Sequence, residues 1–319
     1  MMFIDASTVR ELLSIEMCID AVETAFRLHG EGKAPQPGVL AVHAEHGTFH
    51  IKAGTLELGR YYFAAKTNAN YPGNLERHGL PTIQGVIALF DAERGTPLAI
   101  LDSREITSLR TGAATAVAAK YLAREDASVV AICGCGVQAR TQLAAVAAVR
   151  TLTRVYAFDR NRENATRFAR EMANDLGIEV RVALDLPTAA RESDICITCT
   201  PSRTAILGAG DVSAGAFVAG VGADNPDKQE LDPTLLARSA VVVDILDQAV
   251  VSGDLHHAIA AGVMTRDDVR AELGAVVAGR TRGRLHDDEI VVFDSTGTAL
   301  QDVAAAAAVY ERAVAEGAN

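Results

Sequence analysis

The strongest constraint on this chain is the hexapeptide Gly134-Cys135-Gly136-Val137-Gln138-Ala139, which follows the apolar run Ser128–Cys133 directly and leads into a helix-forming stretch. A glycine pattern of this kind is weak by itself, and the strand before it and the helix after it give it meaning. The first glycine makes the tight turn, the second lets the backbone approach a pyrophosphate, and a small third residue, here Ala139, lets helix and strand pack closely. The anion then rests on the free N–H groups and positive dipole end of a helix whose first residues are Val137 and Gln138. Asp159 closes the next apolar run, VYAFD, roughly 20 residues beyond the loop, where a ribose-binding carboxylate belongs. Such a carboxylate repels a 2′-phosphate and favours NAD, whereas the adjacent Arg160 pulls toward NADP; NAD is the expected cofactor and NADP the alternative.

From Ser128 onward apolar runs alternate with helical stretches through DICITCT, AFVAGVG and AVVVDIL. Apolar strands in βαβ alternation predict a doubly wound parallel sheet covered on both faces. The region before it has a different texture. Thr8-x-x-Glu11 matches a capping box with Ser7 or Thr8 as the cap, and Ile19, Val22, Ala25 and Phe26 recur at helical spacing up to Gly30. Short apolar runs at Val39–Val42, Thr48–Ile51, Tyr61–Lys66, Ile83–Phe90 and Pro97–Leu101, divided by Gly, Pro, Asn and Asp, then predict antiparallel strands. An Ala-rich helix over Ile106–Ala123 connects this region to the Rossmann unit, and a last Ala-rich helix is expected from Ser295 to Ala315.

At 319 residues, two domains are the better expectation than one. The net charge of −11 argues against nucleic acid or an anionic membrane as partner. No apolar run reaches the roughly 20 residues of a membrane span, and no signal-like segment opens the chain, so a cytoplasmic protein is expected. Four of the five cysteines, Cys133, Cys135, Cys196 and Cys199, sit at strand ends and read as reduced core thiols rather than metal ligands, and no metal is expected. His256-His257 lies at a helix start without the carboxylate spacing of a metal site.

Several further segments, taken in order, carry a family resemblance. They are Ala64-Ala65-Lys66 with Pro72-Gly73-Asn74, Leu80-Pro81-Thr82-Ile83-Gln84-Gly85, Ile106-Thr107-Ser108-Leu109-Arg110-Thr111-Gly112-Ala113, the glycine loop, Gly222-Ala223-Asp224 with Lys228-Gln229-Glu230-Leu231, and Phe293-Asp294-Ser295-Thr296-Gly297. Through them most of the chain resembles the ornithine cyclodeaminase/mu-crystallin family. The resemblance implies a Rossmann dinucleotide-binding domain over 113–295, inserted in a mixed α+β substrate-binding and dimerisation domain made of 1–112 plus 296–319. It also implies a homodimer that joins the sheets of the substrate domains.

The family's reactions move a C–N bond between amine and imine at a carbon bearing a carboxylate, with hydride passing to or from nicotinamide. A site for that chemistry needs a cation for the carboxylate and a proton donor or acceptor at nitrogen. The resemblance puts Lys66 at the substrate. Arg110 carries a bidentate fork suited to a carboxylate or a pyrophosphate. Asp224, beyond the strand AFVAGVG at the carboxyl edge of the sheet, is the candidate for holding or deprotonating the amine. Lys66 and Asp224 are therefore the expected catalytic residues, and His50, Lys52 and Arg110 the expected substrate contacts. Thr82, Arg110, Thr111, Thr200, Lys228 and Ser295 join Gly134, Gly136, Val137, Gln138, Asp159 and Arg160 as expected dinucleotide contacts. Cyclodeaminases of the family carry a glutamate where this chain has His50, and many relatives carry methionine at Lys52, which changes the protonation equipment of the site. An arginine that relatives place shortly after the first long helix has no counterpart near Pro35-Gln36-Pro37.

The leading expectation is an NAD(P)H-dependent oxidoreductase interconverting a small 2-oxo or imino acid and the L-amino acid. Pyruvate with ammonia and cyclic imines such as pyrroline-carboxylate both fit. The rival readings are a cyclodeaminase, converting L-ornithine to L-proline and ammonia with no net redox change, and a non-catalytic NAD(P)H-dependent binding protein.

Overall fold

The computed structural model describes residues 1–317. The chain divides into two units, Met1–Arg110 with Thr298–Asn319, and Thr111–Gly297. The expected boundaries were 112/113 and 295/296.

The first unit carries a six-stranded sheet in the order β1-β6-β5-β4-β3-β2. Its strands are β1 (Met2–Ile4), β2 (Gly38–Ala44), β3 (Gly47–Glu57), β4 (Tyr61–Asn70), β5 (Ile83–Asp91) and β6 (Thr96–Asp102). β2 to β6 form an antiparallel meander, and β1 joins β6 in parallel. β1 is too short to have been visible as a strand in the sequence. The helices here are α1 (Ala6–Leu12), α2 (Ile15–Gly30), the short α3 (Asn74–His78) and the start of α4 (Ser103–Leu122), with α12 (Ala299–Ala315) returning at the end of the chain.

Two local readings are corrected. The opening segment is two helices rather than one, and neither Ser7 nor Thr8 caps it. The Asp5 carboxylate accepts from the Thr8 backbone N–H at 2.8 Å and caps α1. An anion satisfies the free amides and the helix dipole better than a hydroxyl does. Extended backbone at Leu13 ends α1, and Ser14 caps α2. The final helix starts at Ala299, capped by Thr298, four residues later than expected, because 295–298 are not helical after β16 and Thr298 has extended backbone.

One face of the first sheet is the core. In β4 burial alternates, placing Tyr62, Ala64, Lys66 and Asn68 inward, and Ile87, Leu89, Ala99 and Leu101 continue that face on β5 and β6. α12 lies against β3, β4 and α2. Its alanines keep the approach close, so that a Cβ on Gly54 would sit 3.4 Å from the Ala299 methyl. Packing of apolar side chains thus occupies one end of β4 and polar groups the other.

The second unit is an eight-stranded parallel sheet in the order β15-β14-β16-β12-β10-β7-β8-β9. The strands are β7 (Val129–Cys133), β8 (Arg154–Phe158), β9 (Glu179–Val182), β10 (Ile195–Thr198), β12 (Phe217–Gly220), β14 (Ala240–Val243), β15 (Ala271–Glu272) and β16 (Val291–Asp294). β11 (Arg203–Leu207) and β13 (Gln229–Leu231) form a separate parallel pair. The helices are α5 (Val137–Val149), α6 (Arg162–Leu176), α7 (Leu186–Arg191), α8 (Pro233–Ala237), α9 (Leu246–Ala249), α10 (Gly253–Ala260) and α11 (Leu273–Val277). β10, β12, β14 and β16 are wholly buried, as the unbroken apolar runs require of strands covered on both faces. The chain leaves β7 toward β8 and β9, then returns to β10 on the other side. That reversal makes the crevice between the ends of β7 and β10 the ligand-binding place in a sheet of this kind. Among the described residues no helix is long and apolar enough to cross a membrane.

Candidate active site

In the first unit a buried charge array forms around one carboxylate. The α12 turn that follows Thr298 presents Gln301 and Asp302 inward. Lys66 Nζ lies 2.8 Å from both Asp302 oxygens and hydrogen-bonds to Oδ1. Arg110 donates through Nε to the same oxygen at 3.1 Å and through Nη1 to Gln301 Oε1 at 2.9 Å. Lys66 is 3% exposed and Asp302 1% exposed. Burial pushes the Asp302 carboxyl up, but the charges of Lys66 and Arg110 outweigh it and leave the group below the ordinary carboxylate value. The ammonium of Lys66 moves furthest: burial, then the neighbouring Arg110 charge, pull it down to about 7 against the holding effect of Asp302. A lysine poised there exists in both protonation states near neutrality, which suits hydrogen bonding to a carboxylate or carbonyl and giving up a proton.

The sheet register explains how more basic groups reach this face. Lys52 of β3 stands directly opposite Lys66, and His50 opposite Asn68, and directly opposed residues share one face of the sheet. Asn68 is itself fixed, accepting from Ser103 Oγ at 2.6 Å. His50, Lys52, Lys66 and Arg110, expected separately from sequence, therefore belong to one unit, with Lys52 buried and His50 half-buried. Asp302 and Gln301 were missed. The only signal was two polar residues at the start of a helix that then runs through five consecutive alanines, 304–308.

In the second unit the crevice at the β7/β10 switch has a volume of about 690 Å³, lined by Gly134, Gly136, Asp159, Arg160, Thr200 and Ser202 among others. Gly134 has φ +91, and a Cβ there would meet Cys199 O at 2.8 Å, so both backbone shape and crowding demand glycine. A Cβ on Gly136 would meet no protein atom within 4 Å. That open space lies at the start of α5, where Gly136 provides no side-chain cap. The backbone amides that open α5, beginning at Val137, suit an anion. Asp159 accepts from Cys135 N–H at 2.8 Å and from Asn161 N–H at 2.8 Å, which ties the ribose-side carboxylate to the glycine loop. The crevice fits a dinucleotide, with a glycine-shaped anion cradle and a carboxylate at the ribose end. Ser295, just past β16, is not among its lining residues; its Oγ is buried without a hydrogen-bond partner among the described residues.

The protein-family comparison decides the assignment. The ornithine cyclodeaminase/mu-crystallin family model matches residues 1–317. The chain belongs to that family. Among members of the ornithine cyclodeaminase/mu-crystallin family, alanine dehydrogenase of Archaeoglobus fulgidus is 41% identical over 308 residues, covering 97% of this chain and 94% of that protein. A solved archaeal alanine dehydrogenase dimer with bound NAD superposes with a TM-score of 0.95 at 40% identity, over 100% of this chain and 97% of that one. The Thermococcus litoralis Δ1-pyrroline-2-carboxylate reductase in complex with NADH and L-proline gives 0.92 at 35% identity, over 99% and 98%.

The remaining expected residues of this family member fall as follows. Asp224 lies four residues past β12 with its side chain 52% exposed, and its Oδ1 accepts from Lys228 Nζ at 2.8 Å. The two residues expected to serve amine and dinucleotide separately are thus an ion pair. Thr200 lines the crevice, and its backbone N–H donates to Glu230 Oε1 at 2.5 Å. Val137 is exposed at the first turn of α5, and Gln138 follows it there. Thr111 is buried in α4. Thr82 is exposed just before β5, in the first unit, where its carbonyl accepts from Tyr71 N–H at 2.8 Å. All five cysteines are free thiols. Cys199 Sγ donates to the Gly134 carbonyl at 3.2 Å, and burial pushes the thiols of Cys133, Cys135, Cys196 and Cys199 up. In that protonated form they pack in the core, and Cys135 and Cys199 donate to carbonyls around the turn.

Proposed function

We propose that this protein is an NAD(H)-dependent oxidoreductase that interconverts a small 2-oxo or imino acid and the corresponding L-amino acid. The buried Lys66–Asp302–Arg110 array carries this reading, because a dinucleotide crevice alone would serve many chemistries. Two cations sharing one carboxylate leave hydrogen-bonding capacity that a substrate carboxylate matches. Lys66 binds and polarises the acid at its carboxylate or carbonyl oxygen. Arg110 fixes orientation. Asp224 holds or takes the proton at nitrogen. NAD, when bound, supplies or accepts the hydride at the carbon bearing nitrogen, held by Gly134, Gly136, the start of α5, Asp159, Thr200 and Ser295. In the reductive direction an imine, NADH and a proton give the amine and NAD+; from a 2-oxo acid, ammonia enters and water leaves.

The solved relatives carrying NAD or NADH support that cofactor, and Asp159 supports it over NADP. Replacement Asp159→Ser is expected to shift the ratio of NADH to NADPH affinity by about tenfold toward NADPH, about 1.4 kcal/mol; fluorescence titration of both cofactors measures it, and an unchanged ratio contradicts the role. Assays with pyruvate plus ammonia and with cyclic imines test the reaction. Consumption of NADH with matching formation of amino acid supports it. Release of ammonia from ornithine without net NADH change would support cyclodeamination instead.

We infer further that the chain works as a homodimer through its first sheet. β2 is an edge strand exposed over its whole length, with Val39, Leu40 and Val42 apolar, and Phe49 on the adjacent β3 is a further exposed apolar residue. Long unprotected apolar edges are unusual in monomers. Light scattering should give twice the chain mass of 33.6 kDa, and a monomer at micromolar concentration would contradict it.

A further inference from the structure

The second unit contains four fully buried carboxylates that the proposed reaction does not use, and three of them, Glu230, Asp254 and Asp294, are linked in a chain. Glu230 on β13 accepts from Thr200 N–H at 2.5 Å, Gly222 N–H at 2.7 Å and Thr198 Oγ at 2.8 Å. Asp254 on α10 accepts through Oδ1 from the Glu230 and Leu231 amides at 2.8 and 2.9 Å. Asp294, ending β16, accepts from the amides of Asp254 and Leu255 at 3.2 and 2.8 Å. The three are 0% exposed, and each of these bonds comes from a neutral donor rather than from a lysine or arginine.

The connectivity matters for the crevice. Glu230 ties together the loops after β10 and β12, which carry Thr200 and Gly222. Asp254 holds the backbone two residues after Lys228. Asp294 anchors the start of α10 and directly precedes Ser295, whose own N–H donates to Gly220 O at 2.9 Å. The chain of acids therefore fixes the relative positions of Thr200 and Ser295, the loop groups assigned above to the dinucleotide.

Three negative charges cannot share a dry site without counterions, since each ion's loss of hydration and their mutual repulsion both oppose it. One of the six oxygens stands apart. Five accept at least one hydrogen bond, whereas Asp254 Oδ2 has no partner among the described residues. A proton on that atom disturbs no existing bond. We propose that Asp254 is a positioning residue that keeps its proton on Oδ2 at neutral pH, and that this neutral carboxyl holds the Thr200 and Ser295 loops in their dinucleotide-binding arrangement. The shifts agree in direction: burial and the neighbouring Asp294 and Glu230 charges raise Asp254 well above an ordinary carboxyl, and burial takes Asp294 to about 7.

The other groups around Asp254 leave it without a compensating cation. β13 faces it with Glu230 and β16 with Asp294, and Asp244 at the end of β14 adds a further negative charge acting on Asp294. α8 has no titratable side chain. Asp247 of α9 is paired with Arg266. On α10 itself His256 and His257 hydrogen-bond to the Val250 and Lys228 carbonyls.

The proposal rests on the dinucleotide reading of the crevice, and its test separates the two. NADH affinity of the full-length wild type, followed by fluorescence from pH 6 to 10, is expected to weaken at the alkaline end, approaching about tenfold per pH unit for one proton. Asp254→Asn copies the neutral form: its amide oxygen still accepts from Glu230 and Leu231, and it cannot ionise. That variant should bind NADH within about threefold of wild type at pH 6 and lose the one-proton slope. Difference infrared spectra read the same group without cofactor: a protonated-carboxyl C=O band in wild type at pH 7.5 that is missing from the variant. Wild-type affinity flat over the whole range, the same slope in Asp254→Asn, or no such band would each overturn the proposal. Absence of NADH binding at every pH would instead overturn the dinucleotide reading, and the infrared band would still decide the state of Asp254.

Discussion

The two units are built to receive charge in opposite ways. In the second, the β7–α5 turn is built for an anion from backbone: Gly134 at φ +91, Gly136 with open space where a side chain would be, and the amides that open α5. In the first, Lys66, Arg110 and Asp302 are charged side chains buried together. A backbone cradle is local, and its amides do not themselves titrate. A buried charge array is assembled from distant parts of the chain, depends on each member's protonation state, and becomes unstable when any one member is removed. If each unit binds its own ligand by its own means, changes in one should leave the other's affinity alone.

The largest expected effect comes from Lys66→Met. Turnover should fall by about 10³-fold or more, the range for losing a group that acts on the reacting atoms, while NADH affinity stays within about twofold. Rate assays and cofactor titration on the same preparation check both halves. A comparable loss of NADH affinity would break the division of labour. Asp302→Asn comes next, because it leaves Lys66 and Arg110 buried without their shared counterion. Removing one member of a buried ion pair costs about 3–5 kcal/mol, and a chemical-denaturation midpoint close to wild type would contradict the array. For the backbone cradle, Gly136→Val should weaken NADH by about 100-fold, near 2.7 kcal/mol, with an unchanged melting temperature, since no protein atom lies where the new Cβ would go.

The smallest effect is the pH dependence of substrate binding at the charged site, which sets in near neutrality. A substrate carboxylate binds protonated Lys66, so its affinity should fall as pH rises above about 7, approaching about tenfold per pH unit. KM for the oxo or imino acid across pH 6 to 9 measures this, and a flat profile would contradict it. The sign for folding is the reverse. Lys66 folded binds fewer protons than Lys66 unfolded between about 7 and 10.5, so its contribution makes the free protein more stable as pH rises through that window.

How much of this was legible beforehand follows the same divide. The glycine loop, its strand and helix and Asp159 lie within one βαβ unit, where spacing alone specifies geometry, and they were read from sequence. The meander β2 to β6 was likewise readable from alternating runs and turn residues. Asp302 was not, because its partner Lys66 lies in a strand far earlier in the chain and a carboxylate in an alanine helix gives no periodic signal. Asp254, Asp294 and Glu230 escaped for a related reason: they hold backbone amides of loops that only the finished sheet brings together. Near the start of the chain a hydroxyl pattern suggested a cap at Thr8, while the capping carboxylate was Asp5, three residues earlier.

The central claim is most directly tested by following NADH absorbance with purified protein, pyruvate plus ammonia and a panel of cyclic imino acids, while quantifying the amino acid formed. One NADH consumed per L-amino acid produced, abolished in Lys66→Met protein that still binds NADH, is the predicted result. NADH binding with no consumption across the panel, or ammonia released from ornithine at constant NADH, would contradict the account.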